Sequence, residues 1–344
     1  MIIKFKPNRV RRLYYGGSGI DLMRGETPHD DYYPEDWIAS CIEGNTREFV
    51  APGHGLSRVE SNGQELLFRD ILAKKTEYCL GSRHAARLGT IPGVLVKLLD
   101  AAVRLPVQVH PTVPAARKYF GADYGKTEAW IILNSRAGAS IYLGFNEKLD
   151  QQVFRRESLD GEYVRGLDML HRIEVNPGDV IVVHGGLPHA IGKGITMLEV
   201  MEPSDLTVNP ERRLGDKILD ESKRFAGLPP DKALELFDWT PYSPAEIKAR
   251  CFQTPFPLGP YRQCLIDRNK IGFFGVESLQ LAGSCDLPHR GNTFLVMVVV
   301  EGRIKINGNE AELRAGESAF LPYQLDKCHL EGNGRAIFIL PPQV

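Results

Sequence analysis

What most constrains this chain is a succession of short Val- and Ile-rich runs, each closed by Gly, Pro or Asn. Such runs stand at 94–99, 107–109, 130–133, 140–143, 180–183 and 196–201. They return at 258–266, 273–281, 293–300, 303–306, 318–321 and 336–340, after a proline-rich linker around 240–260. Runs this short suit strands better than helices, and β-branched side chains favour a pleated surface. The 34 Gly and 23 Pro among 344 residues supply the turns that so many strands need. The expected class is mainly β.

Helical spacing is confined to a few places, 66–73 and 113–120 among them. A charged stretch at 147–170 reads as an inserted helical segment, and 211–237 as two helices broken at Gly227-Leu228-Pro229-Pro230. The first ninety residues look irregular, with loop chemistry at Gly16-Gly17-Ser18-Gly19 and Ala51-Pro52-Gly53-His54-Gly55.

An internal echo sharpens the architecture. Pro177-Gly178-Asp179 leads into the run 180–183, and His189 follows Gly178 by eleven residues. Ala315-Gly316-Glu317 leads in the same way into 318–321, and Lys327 follows Gly316 by eleven. Glu301-Gly302 and Asn307-Gly308 are expected to make tight turns on either side of 303–306. The rhythm fits a double cupin, two jelly-roll β-barrels with inserted helical segments, of which only the first carries a site. The expected division is a metal-binding domain at 1–240 and a barrel without ligands at 241–344.

Charge and composition exclude several classes. Lys and Arg number 42 against 43 Asp and Glu, a net charge of −1, so no basic excess points to nucleic acid. The longest purely apolar run, 294–300, cannot span a bilayer, and the N-terminus lacks the apolar stretch of a secretory signal. The six Cys form no Cys-x-x-Cys pair and are expected to pack as reduced thiols in a cytoplasmic protein.

The chemistry gathers in two segments and a later histidine. Gln108 and His110 are two apart, so on a strand they share a face. Glu128 opens an apolar run and His189 ends the segment begun at Pro177. If these four converge inside the first barrel, imidazole, carboxylate and amide together suit a borderline divalent ion such as Zn²⁺. His184 is a rival ligand. The other histidines, at 29, 54, 84, 171, 289 and 329, are expected at the surface.

Gln108-Val109-His110-Pro111, then Gly125-Lys126-Thr127-Glu128-Ala129-Trp130, then Pro188-His189-Ala190-Ile191-Gly192-Lys193-Gly194 resemble, in that order, the signatures of type I mannose-6-phosphate isomerases of the cupin superfamily. Tyr15-Gly16-Gly17 and Val94-Leu95-Val96-Lys97 fit earlier segments of that family. The resemblance covers residues 10–210 by motif and the C-terminal barrel by pattern. It implies a zinc-dependent aldose–ketose isomerase, with iron or manganese as other candidates, acting on mannose 6-phosphate or a related sugar through a cis-enediol. The implied metal ligands are Gln108, His110, Glu128 and His189. Glu199 matches the position of the base, Lys126 adjoins a ligand, and Lys97 matches a phosphate-binding lysine.

The chain also departs from the family. Pro106 stands where a serine is usual, and Thr112 where an aspartate is usual. The family's Ser-Asp-x-x-x-Arg becomes Ser204-Asp205-Leu206-Thr207-Val208-Asn209, so a neutral amide replaces an arginine. Arg212 and Arg213 follow shortly, and one of them, taken as Arg212, is expected to swing in as a catalytic cation, with Asn209 left to bind substrate. The departures leave a sugar-binding cupin without turnover, or an isomerase of an unphosphorylated sugar, as alternatives. A mononuclear iron oxygenase fits less well, because Gln108 is not part of its usual donor set.

Overall fold

A computed structural model describes the chain apart from residues 30, 45–50, 62, 162–164, 215–216, 288–292, 309 and 326, so His289 lies outside the described residues. Two antiparallel sheets repeat one strand order. The first runs Val180–Val183, Glu128–Ser135, Ile195–Met201, Leu95–Ala101, Glu35–Ile38, Arg9–Val10. The second runs Ser318–Leu321, Leu295–Ile306, His329–Leu340, Gly275–Asp286, Arg262–Ile266, Phe256–Pro257. Register agrees as well as order: Val180 faces Ile131 as Ser318 faces Val298. The Gly178 and Gly316 turns therefore stand at equivalent places, and the chain is mainly β and a double cupin. A three-stranded sheet of His189–Ile191, Ser140–Phe145 and Leu170–Glu174 completes the first half.

The two-residue side-chain period sorts each strand between two cores. Val96, Leu98, Ala129, Ile131, Leu198 and Val200 pack with Val296, Val298, Ile337 and Ile339 of the second sheet. Their alternates Leu99, Trp130, Ile132 and Met197 face the interior of the first half. The same inner face carries a row of four directly opposed residues: Trp37, Lys97, Glu199 and Trp130. The equivalent row of the second sheet is Cys264, Glu277, Phe338 and Met297, and Leu295 occupies the place of Glu128. The second sheet thus repeats the fold but carries no counterpart of Glu128 or Glu199 at these described positions.

Several expectations need correction. Glu301-Gly302 is not a turn: Leu295–Ile306 runs through it as one strand, bulged between Val299 and Glu301. Asn307-Gly308 does turn the chain, into Ala311–Arg314. The segment 211–237 holds a two-residue hairpin, Arg213–Leu214 with Lys217–Ile218, and only four-residue helices at Glu221–Arg224 and Pro230–Ala233. Pro230 opens the second helix, where its missing N–H costs nothing, and a 3-10 turn at Leu234–Leu236 follows it. The sheets do not divide at 240/241 either. Helix Pro244–Cys251 buries Ile247 and Cys251 in the first core, and Phe252 bridges Ile181. In the other direction, Ile3–Lys4 adds a strand to the second sheet, with Ile3 opposite Phe320. His84 and His171 are buried rather than exposed, each hydrogen-bonded to a backbone carbonyl. All six cysteines are free, and among the described residues no helix is long and apolar enough to cross a membrane.

Gly302 sits at φ +71, where a Cβ would lie 2.1 Å from the Asn333 carbonyl oxygen. Gly302→Ala is expected to cost at least about 2 kcal/mol in urea unfolding, because it combines backbone strain with a backbone clash.

Candidate metal centre and cavity

The loops that carry the candidate ligands are drawn together at Pro111. Lys126 N–H donates to the Pro111 carbonyl at 3.0 Å, and Gly186 N–H to the His110 carbonyl at 2.8 Å. Gly125 permits the approach, since a Cβ there would lie 2.7 Å from the same Pro111 oxygen. Thr112 caps the helix Val113–Phe120 behind this junction, so the threonine departure keeps a capping oxygen. Gln108 and His189 exchange both backbone hydrogen bonds, at 2.8 and 2.9 Å, which sets their side chains on one face.

His110, Glu128 and His189 bring ligand atoms within 4.8 Å of one another, all buried. The contacts run through Glu128, whose oxygens lie 3.1 Å from His110 Nε2 and 3.3 Å from His189 Nε2. Each ring faces a carbonyl through Nδ1, His110 that of Leu206 at 3.0 Å and His189 that of Leu187 at 2.9 Å. Those carbonyls require N–H donors, which leaves both Nε2 atoms as acceptors aimed at a carboxylate. His189 Nε2 has no hydrogen-bond partner. Burial, together with the Lys126 ammonium, pushes the His110 pKa down to about 3, so that ring is neutral. Acceptors facing acceptors out of water fit a bound cation. The residues present therefore fit a divalent ion.

Lys126 places its ammonium 2.7 Å from His110 Nε2 and 2.5 Å from Glu128 Oε2. Burial alone would raise the Glu128 carboxyl, but the Lys126 ammonium holds it well below its usual range. The Trp130 indole donates to Glu128 Oε1 at 3.1 Å. His184 is half-buried and stays outside the group. Among the described residues there is no second cluster of this kind.

A cavity of about 470 Å³ opens beside the cluster, with Gln108, Lys126, Lys97, Glu199 and Asn209 in its wall. Lys97 Nζ lies 3.1 Å from Glu199 and 3.5 Å from Glu35, and is buried rather than exposed. Burial disfavours the Lys97 charge, yet these two carboxylates keep its pKa above the usual value. Burial pushes the Glu199 carboxyl up despite Lys97. Arg212 is absent from the wall: its side chain is exposed and its stem lies over Gly161. The two intervening residues, Pro210 and Glu211, separate it from Asn209, and Glu211 turns inward to pair with Arg104 at 2.7 Å. The expectation that Arg212 joins the site is not met.

Three cavity residues, Arg12, Tyr14 and Glu35, carry no signal that sequence reasoning used. Arg12 grips Asp205 at 3.0 and 3.1 Å and Glu35 at 2.9 Å. Tyr14 OH and Trp37 Nε1 donate to Glu35 at 2.5 and 2.7 Å. Asp205 lay within a motif already singled out, Ser204 to Asn209, whereas Arg12 meets it across 193 residues of sequence. The result is a chain of alternating sign: Asp205, Arg12, Glu35, Lys97, Glu199.

Comparison with known proteins decides the family. The chain is 31% identical over 287 residues to mannose-6-phosphate isomerase ManA of Bacillus subtilis, covering 80% of this chain and 85% of that one. It belongs to the mannose-6-phosphate isomerase family. It is thus an enzyme of the intramolecular oxidoreductase class. A mannose-6-phosphate isomerase of Streptococcus mutans is 28% identical over 333 residues, covering 96% of this chain and 95% of that one. The family model for the mannose-6-phosphate isomerase cupin domain matches residues 269–341. The fold agrees with the crystal structure of the Bacillus subtilis mannose 6-phosphate isomerase, with TM-score 0.76 and 21% identity over 98% of this chain and 99% of that one. It agrees also with a point mutant of Salmonella typhimurium phosphomannose isomerase, with TM-score 0.75 and 18% identity over the whole of both chains.

Burial would raise the Asp205 carboxyl, but Arg12 and then Lys97 outweigh it and hold it at about 2, against a usual 3.8. A depressed carboxylate contributes stability above its unfolded pKa and loses it as pH falls through the folded one. Asp205→Asn is expected to cost about 2 kcal/mol at pH 7 in urea titrations. The gap from wild type should narrow only below about pH 4.

Proposed function

We propose that this enzyme interconverts mannose 6-phosphate and fructose 6-phosphate through a cis-enediol, with one divalent ion held by Gln108, His110, Glu128 and His189. The observation that carries the reading is the buried acceptor cluster beside a cavity that presents a buried carboxylate and two buried ammonium groups. Imidazole nitrogens with carboxylate and amide oxygens suit Zn²⁺, and Fe²⁺ or Mn²⁺ can occupy the same donors. When bound, the ion supplies polarisation of sugar oxygens.

Glu199 takes the proton from C2 of the open-chain aldose while Lys126 gives a proton to O1, which yields the cis-enediol. Glu199 then returns its proton to C1 and Lys126 recovers one from the O2 hydroxyl, leaving the ketose and restoring both groups. The raised Glu199 pKa brings this base closer to neutral pH, as proton transfer from carbon requires. Lys97 holds the Glu199 carboxylate in place across the strand pair. Asn209 offers its amide to sugar hydroxyls. Free cysteines and the absence of a membrane-spanning helix among the described residues are compatible with a cytoplasmic enzyme.

The neutral Asn209 favours a second reading, a cupin that binds a sugar or sugar phosphate without turnover. NMR exchange of the C2 proton in deuterated water, with mannose 6-phosphate, fructose 6-phosphate and free mannose, separates the two. Exchange with the phosphates supports the first reading, with free mannose alone an unphosphorylated substrate, and with none of them the second. Glu199→Gln is expected to lower kcat by about 10² to 10⁴ with its metal retained.

The purified protein should hold close to one divalent ion per chain by elemental analysis, and His110→Ala, Glu128→Ala and His189→Ala should each lose it. Trp130→Phe, which removes the indole donor to Glu128, should weaken metal binding by about tenfold. No metal in the wild type, and none taken up on addition, would sink the site.

A further inference from the structure

We propose that Glu202 is a positioning residue: its buried carboxylate holds the backbone at Thr127 and thereby aims Lys126 at the sugar and Glu128 at the ion. This rests on the isomerase reading above, and it concerns a residue that belongs neither to the cavity wall nor to the donor cluster.

The sheet stops one pair short of Lys126. Strand Ile195–Met201 runs antiparallel to Glu128–Ser135, and its last partners are Met201 and Glu128. Glu202 and Thr127 come next in that register. Glu202 N–H donates to the Thr127 carbonyl at 3.1 Å, as the ladder requires. The Glu202 carbonyl does not return the bond. It accepts the Ser204 N–H at 2.7 Å, in the turn through Pro203 that leads the chain toward Asp205 and Asn209. The Thr127 N–H goes instead to Glu202 Oε1, at 2.9 Å. The side chain thus stands in for the carbonyl that the turn has taken away.

Those two bonds grip different peptide units. The Thr127 N–H belongs to the unit shared with Lys126, and the Thr127 carbonyl to the unit shared with Glu128. Lys126 N–H is held from another direction by the Pro111 carbonyl, on the loop that carries His110. The direction in which Lys126 leaves the backbone is therefore set between Pro111 and Glu202. Glu202 and Thr127 are 2% and 4% exposed, so water does not replace a lost partner there. Burial pushes the Glu202 carboxyl up, and the Thr127 N–H, the Thr127 hydroxyl and the Gly125 N–H that face it oppose the rise. Without the carboxylate, the Thr127 N–H is stranded and the segment must shift to satisfy it. A shift of about 1 Å at reacting groups costs about 10²-fold in rate.

The test joins steady-state kinetics on mannose 6-phosphate, at saturating Zn²⁺, to the rate of Zn²⁺ release into a chelator. Glu202→Ala should lower kcat by about 10- to 100-fold with KM within about threefold, and should speed release by about tenfold. Glu202→Asp keeps the charge but falls one methylene short, so it should show most of the same loss. Glu202→Gln keeps an acceptor at the full reach and should stay within about threefold of wild type. In a Lys126→Ala background, Glu202→Ala should lower kcat by no more than about threefold, because the group it aims is gone. Glu202→Ala and Glu202→Asp within about twofold of wild type in both readouts would overturn the assignment. So would a loss in Glu202→Gln equal to that in Glu202→Ala, or an undiminished loss in the Lys126→Ala background. If the wild type fails to exchange the C2 proton while Zn²⁺ release still depends on Glu202, the isomerase reading falls and the hold on Glu128 stands. A wild type that takes up no ion overturns both.

Discussion

The imidazole nitrogens of His110 and His189 and the carboxylate of Glu128 are all acceptors, and burying them side by side is unfavourable unless a cation lies among them. Much of the surrounding structure answers that constraint. Backbone carbonyls of Leu206 and Leu187 fix the ring tautomers, Trp130 steadies one Glu128 oxygen, and Lys126 brings a positive charge to the other. The loops that deliver these side chains converge on Pro111 through main-chain hydrogen bonds, so the groups are carried on backbone that is tied in place.

The cavity wall extends the same logic outward. Along the row from Trp37 to Trp130, Lys97 and Glu199 stand directly opposite each other, and Arg12 with Asp205 and Glu35 continues the alternation. Each charge is tolerated out of water because its neighbours carry the opposite sign. Such a wall is well suited to discriminating among hydroxyl arrangements. It is poorly suited to neutralising a second charged group.

The strands were legible because their information is local: the β-branched runs at 130–133, 180–183 and 196–201 fall within the strands Glu128–Ser135, Val180–Val183 and Ile195–Met201. The repeat of the Gly178 and Gly316 turns was legible for the same reason, and the sheets confirm it in order and register. Gly302 misled because a bulge and a tight turn both call for glycine. His84 and His171 misled because their satisfying carbonyls, on Ile91 and Tyr242, leave no local trace. The cluster residues could be proposed from three ordered motifs. The ion chain could not, since Arg12 finds Asp205 only after nearly two hundred intervening residues have folded.

The strand Ile3–Lys4 carries a consequence for how the molecule is made. It is synthesised long before its partner in the sheet, Ser318–Leu321. Until that partner appears its hydrogen-bonding edge must wait unpaired, and the second sheet is completed only when this strand returns to it. The halves are thus fastened twice, once by the peptide link near Phe252 and once by this closure. In a duplicated fold fastened in this way, the second sheet is complete only with a strand lent by the first half.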